Sequence, residues 1–313
     1  MGGVALVFAG QGAQTPGMGS ELYESSPAAR AIFDEAETLR PGIKELCFLG
    51  PASELNLTVN TQPCLFVVDY ACAVALEEAM GEKLCGTHVT GAAGFSLGEV
   101  VASSFTGIMD FRTGFDFVCA RGEAMNRAGQ DHPGVMYAVV KLDSTEVEEI
   151  ADSMVGVYPV NYNSPTQTVV ACEAAQGDQF VSAVANRGGK ALKLRVSGGF
   201  HSPLMESATA ELAELTQVMS FTQPTIPLYS AMTTRPYDNP RELLPSQVNS
   251  PVLWAQTIEA MATDGFDTFI EVGPGRTLSN FINQIDDTLT TWQASDAESV
   301  NQVATQLMNR KGN

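Results

Sequence analysis

Apolar residues along the chain repeat with two different spacings, and each spacing predicts a different kind of element. Ile32, Phe33, Ala36 and Leu39 recur every three to four positions, which predicts a helix with one buried stripe. Ser26-Pro27 supplies its start: a serine that can cap, then a proline whose missing N–H is no loss at the first helical position. A second helix opens at Thr61-Gln62-Pro63 and continues as CLFVVDYACAVAL. It is apolar on nearly every side, so it is expected wholly inside the core. Leu97, Val100, Val101, Phe105 and Ile108 mark another helical stripe, and Asp110 is placed to cap a helix running to about residue 127.

Near residue 135 the rhythm changes to short apolar runs. Strands are expected over residues 135–142, 157–161, 168–172 and 191–196, with helices over 144–153 and 177–187. This β-α-β-β-α-β order is the ferredoxin-like pattern. Strand and helix alternate on both sides of the block. A strand is expected over 4–9, and others over 226–230 and 268–272. Helices are expected over 251–263, from the Gly273-Pro274-Gly275 turn to 285, and over 295–308. Such alternation predicts a parallel sheet covered by helices. The fold class read from the pattern is therefore α/β. A large α/β-hydrolase-like subdomain with a parallel sheet is expected from residues 1–130 and 198–313, and an inserted ferredoxin-like (βαββαβ) small subdomain from 131–197.

Composition narrows the function classes. With 17 basic against 36 acidic residues, the formal charge is −19, which argues against nucleic acid and against anionic membrane surfaces. No apolar run approaches the ~20 residues of a membrane span. The start MGGVALVFAGQG lacks a basic lead and a cleavage pattern, and Leu6 stands where myristoylation needs Ser or Thr. A cytoplasmic address is expected. Six cysteines without C-x-x-C spacing read as free thiols, mostly buried, and three histidines without H-x-x-x-H give a metal site little support.

The candidate chemistry centres on residues 89–107, VTGAAGFSLGEVVASSFTG, where an apolar strand turns into an amphipathic helix. Gly94-Phe95-Ser96-Leu97-Gly98 matches the G-x-S-x-G elbow. A turn that sharp leaves no room for side chains beside the serine, and the following helix aims its first N–H groups at the place where an oxyanion would form. Gly10-Gln11-Gly12 leaves the first strand. It lacks a P-loop lysine and fits either a tight turn or a backbone N–H held open beside Ser96. Arg121 lies among Phe117, Val118 and Met125. A guanidinium on so apolar a helix needs a partner anion, which a ligand can supply.

Ser96 needs a base within hydrogen-bond reach. His201, in Ser197-Gly198-Gly199-Phe200-His201-Ser202, follows two glycines that permit close backbone approach. His88 is expected at the far end of the elbow strand, and His132 precedes Pro133 in a connecting loop.

Phe8-Ala9-Gly10-Gln11-Gly12-Ala13-Gln14, the Gly94–Glu99 segment, Gly199-Phe200-His201-Ser202 and Glu271-Val272-Gly273-Pro274-Gly275 together resemble the malonyl-CoA:acyl carrier protein transacylases of fatty-acid synthesis, from about residue 4 to 290. The resemblance implies that Ser96 is acylated, that His201 is the base, and that the Gln11 and Leu97 N–H groups form the oxyanion hole. It implies that Arg121 grips the malonyl carboxylate and that the backbone carbonyl of Gln247 orients the histidine. Malonyl would pass by ping-pong transfer from malonyl-CoA to the phosphopantetheine thiol of an acyl carrier protein, with no metal or redox cofactor. A polyketide acyltransferase would share these motifs. A thioester hydrolase would share the serine and histidine, and a non-catalytic carrier-binding module would be expected to lack one of the catalytic residues. The family usually has histidine before the serine. Here Phe95 stands in its place, so any polar role of that residue is absent.

A carrier protein of this pathway is expected to be acidic. Arg187, Lys190, Lys193 and Arg195 gather four of the 17 basic residues within nine positions and form the candidate docking patch. Strand alternation is expected to bury Leu192, Leu194 and Val196 and to turn Lys193 and Arg195 outward. The sequence sets no oligomeric state.

Overall fold

The computed structural model describes residues 2–311. In chain order its strands are β1 Gly3–Phe8, β2 Gly91–Gly94, β3 Gly134–Val140, β4 Val157–Ser164, β5 Gln167–Glu173, β6 Lys190–Lys193, β7 Leu228–Tyr229, β8 Phe266–Val272 and β9 Thr290–Ala294. They form two sheets. One is parallel throughout, in the order β7-β2-β1-β8-β9, and the other is antiparallel, in the order β4-β5-β3-β6.

Central β1 is buried on both faces, which is why GVALVF reads as one apolar run. Leu6 and Phe8 face a core built with helices Thr58–Met80, Leu97–Phe105 and Phe111–Asp131. Ala5 and Val7 face a second core with Trp254, Ile258 and Phe281, from helices Trp254–Thr263 and Thr277–Ile285. Phe8 pairs with Gly94 on one side and Val272 on the other. The loops leaving β1, β2 and β8 therefore emerge together at the carboxyl edge of the sheet, where open α/β sheets bind ligands.

In the antiparallel sheet Tyr137, Val139, Val170 and Cys172 pack on helices Ser144–Asp152 and Gly177–Asn186. The alternate residues Met136, Ala138, Val169 and Ala171 join the main core. Period-two alternation thus serves two apolar faces. Backbone bonds from Tyr162 N–H to the Val252 carbonyl (2.9 Å) and from Val252 N–H to the Val160 carbonyl (2.8 Å) tie this sheet to the larger unit.

The Ser26 and Asp110 caps stand where the sequence puts them, accepting from the N–H groups of Ala29 and Thr113. Other expectations need correction. The helix expected to open at Thr61 starts at Thr58, with Pro63 inside it. Pro63 cannot donate to the Val59 carbonyl, and Arg40 Nη1 does so instead at 2.8 Å, which satisfies the acceptor that the proline leaves open. The helix expected from residue 251 starts at Trp254, because Val252 is engaged with β4. Strand β9, helix Glu206–Val218 and several short helices carry no sequence signal strong enough to be expected. Among the described residues no helix is long and apolar enough to cross a membrane.

Candidate active site

Strand β2 ends in small residues, and the chain reverses at Ser96 with φ 54° and ψ −106°. A non-glycine residue at positive φ is strained, and such strain persists only where the surroundings impose it. Here the flanking glycines allow it. A Cβ on Gly94 would lie 2.1 Å from the Gly98 carbonyl carbon, and one on Gly98 would lie 2.1 Å from the Phe8 carbonyl oxygen. The serine is therefore held at the sheet edge, where Leu97 begins the next helix and Gln11 leaves β1. Among the hydrogen bonds of the described residues, neither the Gln11 nor the Leu97 N–H has an acceptor.

His201 arrives from the loop after β6, itself at positive φ (62°), with its N–H bonded to the Val248 carbonyl at 2.9 Å. Its Nε2 lies 2.7 Å from Ser96 Oγ, and its Nδ1 lies 2.9 Å from the Gln247 carbonyl oxygen. A carbonyl only accepts, so Nδ1 carries the proton and Nε2 is left to accept from the serine hydroxyl. Burial, and then the Arg121 charge, push the imidazole down to about 4, with the Gln247 carbonyl acting the other way. It is neutral at pH 7, the form a base requires.

Arg121 is 1% exposed. Its Nη1 donates to Gln62 Oε1 at 2.6 Å, and its Nη2 to Gln247 Oε1 at 2.9 Å and Ser96 Oγ at 3.2 Å. Its Nε has no partner, and among the described residues no carboxylate lies within ion-pair distance of the guanidinium. Burial pushes its pKa down to about 10, while the negative charge of Glu99 holds it up.

Gln247 does more than its sequence role suggests. Besides offering its backbone carbonyl to His201, its side chain accepts from Arg121 and donates from Nε2 to the Ser96 carbonyl at 3.0 Å. Gln62 belongs to no motif in the sequence. It links Arg121 to Thr58, with Nε2 to Oγ1 at 3.0 Å, and Thr58 donates in turn to Gln11 Oε1 at 3.0 Å. The available signal is the spacing of Thr58 and Gln62, four residues apart and so on one helix face.

Ser96, His201, Arg121 and Gln11 line a cavity of about 220 Å³. Its other walls are apolar, from Met125, Met136, Val169, Phe200 and Phe281, with the amides of Asn161, Asn163 and Gln167 on one side. Phe95 also lines it and packs against Trp254 (centroids 5.5 Å apart) and Phe281 (6.3 Å). Beside the strained serine this chain therefore has an aromatic cluster. Glu271 accepts from the N–H groups of Leu278 and Ser279 at 3.0 and 2.8 Å, anchoring the helix that carries Phe281.

The basic cluster is more divided than the sequence suggests. Arg187 is paired with Glu149 at 3.0 Å. Lys190, Lys193 and Arg195 are exposed and make no ion pair among the described residues. Leu194 and Val196 point into the cavity, but Leu192, expected to be buried, is 42% exposed on edge strand β6. Leu194 and Val196 follow β6 directly, so the basic segment runs along the cavity wall. His88 pairs with Glu82, away from Ser96.

Comparison with known proteins extends the picture beyond this site. Residues 5–311 match the acyl transferase domain family. A malonyl CoA-acyl carrier protein transacylase of Bacillus subtilis is 35% identical over 311 residues, covering 96% of each chain. The crystal structure of a malonyl CoA-acyl carrier protein transacylase from Clostridium perfringens superposes with a TM-score of 0.91 at 33% identity, covering 99% of this chain and 98% of that one. A type II polyketide acyl-carrier protein in complex with its malonyl-transacylase gives a TM-score of 0.92 at 31% identity, over 97% and 99% of the two chains. Likeness in both sequence and fold, extending over nearly the whole chain, shows that this protein belongs to the acyl transferase domain family.

Proposed function

We propose that the protein moves a malonyl group from malonyl-CoA to the phosphopantetheine thiol of an acyl carrier protein, through a malonyl ester on Ser96. One observation carries the choice of acyl group. Arg121 is a buried guanidinium with an unpartnered Nε, no carboxylate contact and one nitrogen 3.2 Å from Ser96 Oγ. A buried charge without a partner is costly, and the carboxylate of a malonyl group supplies that partner beside the reacting atom.

In the first half-reaction Ser96 Oγ attacks the thioester carbonyl as His201 Nε2 takes the hydroxyl proton. The oxyanion rests on the Gln11 and Leu97 N–H groups. The C–S bond then breaks, and the CoA thiolate leaves with the proton from His201. In the second, the carrier thiol gives its proton to His201 and attacks the ester. The C–O bond breaks, and Ser96 recovers the proton. One thioester replaces another with no change in oxidation state, so the reaction calls for no redox cofactor, and His201 rather than a metal activates the serine.

The relatives named as malonyl transacylases support the substrate, and the solved complex of a relative with a carrier protein supports the partner. That complex belongs to polyketide synthesis, and a Bacillus subtilis relative 34% identical is named for polyketide biosynthesis, so a polyketide carrier is the second reading; fatty-acid synthesis is the first, on the resemblance of the four sequence motifs. The reading carries with it a cytoplasmic address and a chain divided at residues 130/131 and 197/198. It also makes Lys190, Lys193 and Arg195, with Arg187 at the margin, the docking edge. Intact-mass measurement after brief exposure to malonyl-, methylmalonyl- and acetyl-CoA tests the reading. A single malonyl adduct is expected on the wild type and none on Ser96→Ala. Malonylation of the Ser96→Ala protein would overturn it.

A further inference from the structure

Glu99 is wholly buried in the first turn of the elbow helix. Its carboxylate accepts from the Ala231 N–H at 3.1 Å and from the Tyr237 hydroxyl. Burial pushes the carboxyl above its ordinary range, and these two donors, with the Ser230 and Gln247 side chains, act the other way to favour the charged form. The Gln247 carboxamide cannot turn round, because Arg121 only donates and so fixes Oε1 on its own side. The amide nitrogen is then left for the Ser96 carbonyl and Glu99. One carboxamide therefore stands between a buried anion and a buried cation that do not touch.

The arrangement answers a conflict in the site. A guanidinium 1% exposed needs a negative charge nearby. A carboxylate in direct contact would occupy the donors that an acidic acyl group requires. We propose that Glu99 is the resident counter-charge of Arg121, a positioning residue that acts through the Gln247 carboxamide and sets how tightly the substrate carboxylate is held. This rests on the reading of Arg121 as the carboxylate site. Glu99 lets the empty site keep its cation, and it partly cancels the attraction for malonyl so that the acyl group can leave. The charged and titratable groups facing Glu99 are Tyr237, from the loop after β7, and Arg121, from helix Phe111–Asp131; His201 lies beyond Gln247.

The test is Glu99→Gln, which keeps size and an acceptor for the Ala231 N–H, measured beside Arg121→Ala. With the anion gone, the ratio of malonyl-CoA to acetyl-CoA KM is expected to fall about tenfold at pH 7. The alkaline limb of malonyl loading is expected to move toward neutrality by about one pH unit, because Arg121 loses the charge that holds its proton. An unchanged ratio with an unmoved limb would overturn the proposal. Should Glu99→Gln not fold, Tyr237→Phe removes one donor to the carboxylate and raises its proton affinity. The malonyl-CoA KM of that variant should then fall more steeply than the wild type's between pH 8 and 6. A wild-type profile would overturn the proposal. If Arg121→Ala slows malonyl and acetyl loading equally, the carboxylate reading itself fails. If Arg121→Ala is selective and Glu99→Gln is inert, only the role of Glu99 fails.

Discussion

Replacing Arg121 by alanine is the sharpest probe of what the site selects. The substitution removes a guanidinium that is buried and bonded to Gln62, Gln247 and Ser96. For malonyl-CoA it also removes the proposed partner of the substrate carboxylate. Breaking one side of a buried ion pair costs about 3–5 kcal/mol, or roughly 10²- to 4 × 10³-fold in malonyl loading at about 1.4 kcal/mol per decade. Acetyl-CoA has no carboxylate to strand. It meets the loss of donors to Gln62 Oε1, Gln247 Oε1 and, at 3.2 Å, Ser96 Oγ, together worth about 1–2 kcal/mol and softened by water entering the cavity. A second effect runs the other way. The Arg121 charge helps hold His201 down to about 4, so its removal lets the imidazole become a stronger base. Acetyl loading is therefore expected to fall by no more than about tenfold, and selectivity for malonyl by at least that factor. Single-turnover loading, quenched and read by intact mass, measures both substrates on one preparation, with a thermal melt to check folding. Equal losses for malonyl and acetyl would refute the reasoning and leave Arg121 a structural residue.

The His201 imidazole, followed by NMR, should stay neutral down to about pH 4. Because its folded pKa lies below the unfolded value, its contribution to stability is complete above about 6.5 and is lost as pH falls from there through 4; a midpoint near 6.5 would contradict the burial argument. His201→Ala should slow malonyl loading by a factor of about 10² or more, and a loss of only a few-fold would point to another base. Phe95→His should remain active, at a stability cost of about 1–2 kcal/mol for loosening the packing on Trp254 and Phe281. A folded but inactive protein would mean that the aromatic wall shapes the reacting geometry. Lys193→Glu with Arg195→Glu should raise the carrier-protein KM while leaving loading from malonyl-CoA nearly unchanged. The defect should shrink with salt, since screening acts over ~8 Å at 0.15 M; an unchanged carrier KM would move docking elsewhere.

What the chain determined by itself is local. Ser26-Pro27 and Asp110 start helices because a cap involves only the next three residues. The β-α-β-β-α-β order is legible because strands buried on both faces, such as β3 and β5, read as short apolar runs between helical stretches. The elbow is legible because only glycine fits at 94 and 98, where a Cβ would meet backbone atoms. Where a local rule met a distant partner, it failed. Pro63 sits inside a helix because Arg40 takes the carbonyl it frees. Val252 leaves its expected helix because β4 pairs with it.

Ser96, His201, Arg121 and Gln247 could be singled out by type and motif, but only tertiary structure decided that they meet. Parallel pairing of β1 with β2 and β8 sets three loop ends on one sheet edge, and the loop after β6 carries a histidine to that edge from 105 residues away in sequence. Gln62, Glu99 and the Gln247 side chain carry no functional signal in the sequence, because a buried polar side chain does not name its partner. The partners come from other elements, 59 residues away for Gln62 and Arg121 and 126 for Gln247 and Arg121. Whether a buried guanidinium is satisfied or left waiting for a ligand depends on every donor and acceptor around it, and that sum exists only once the chain has folded.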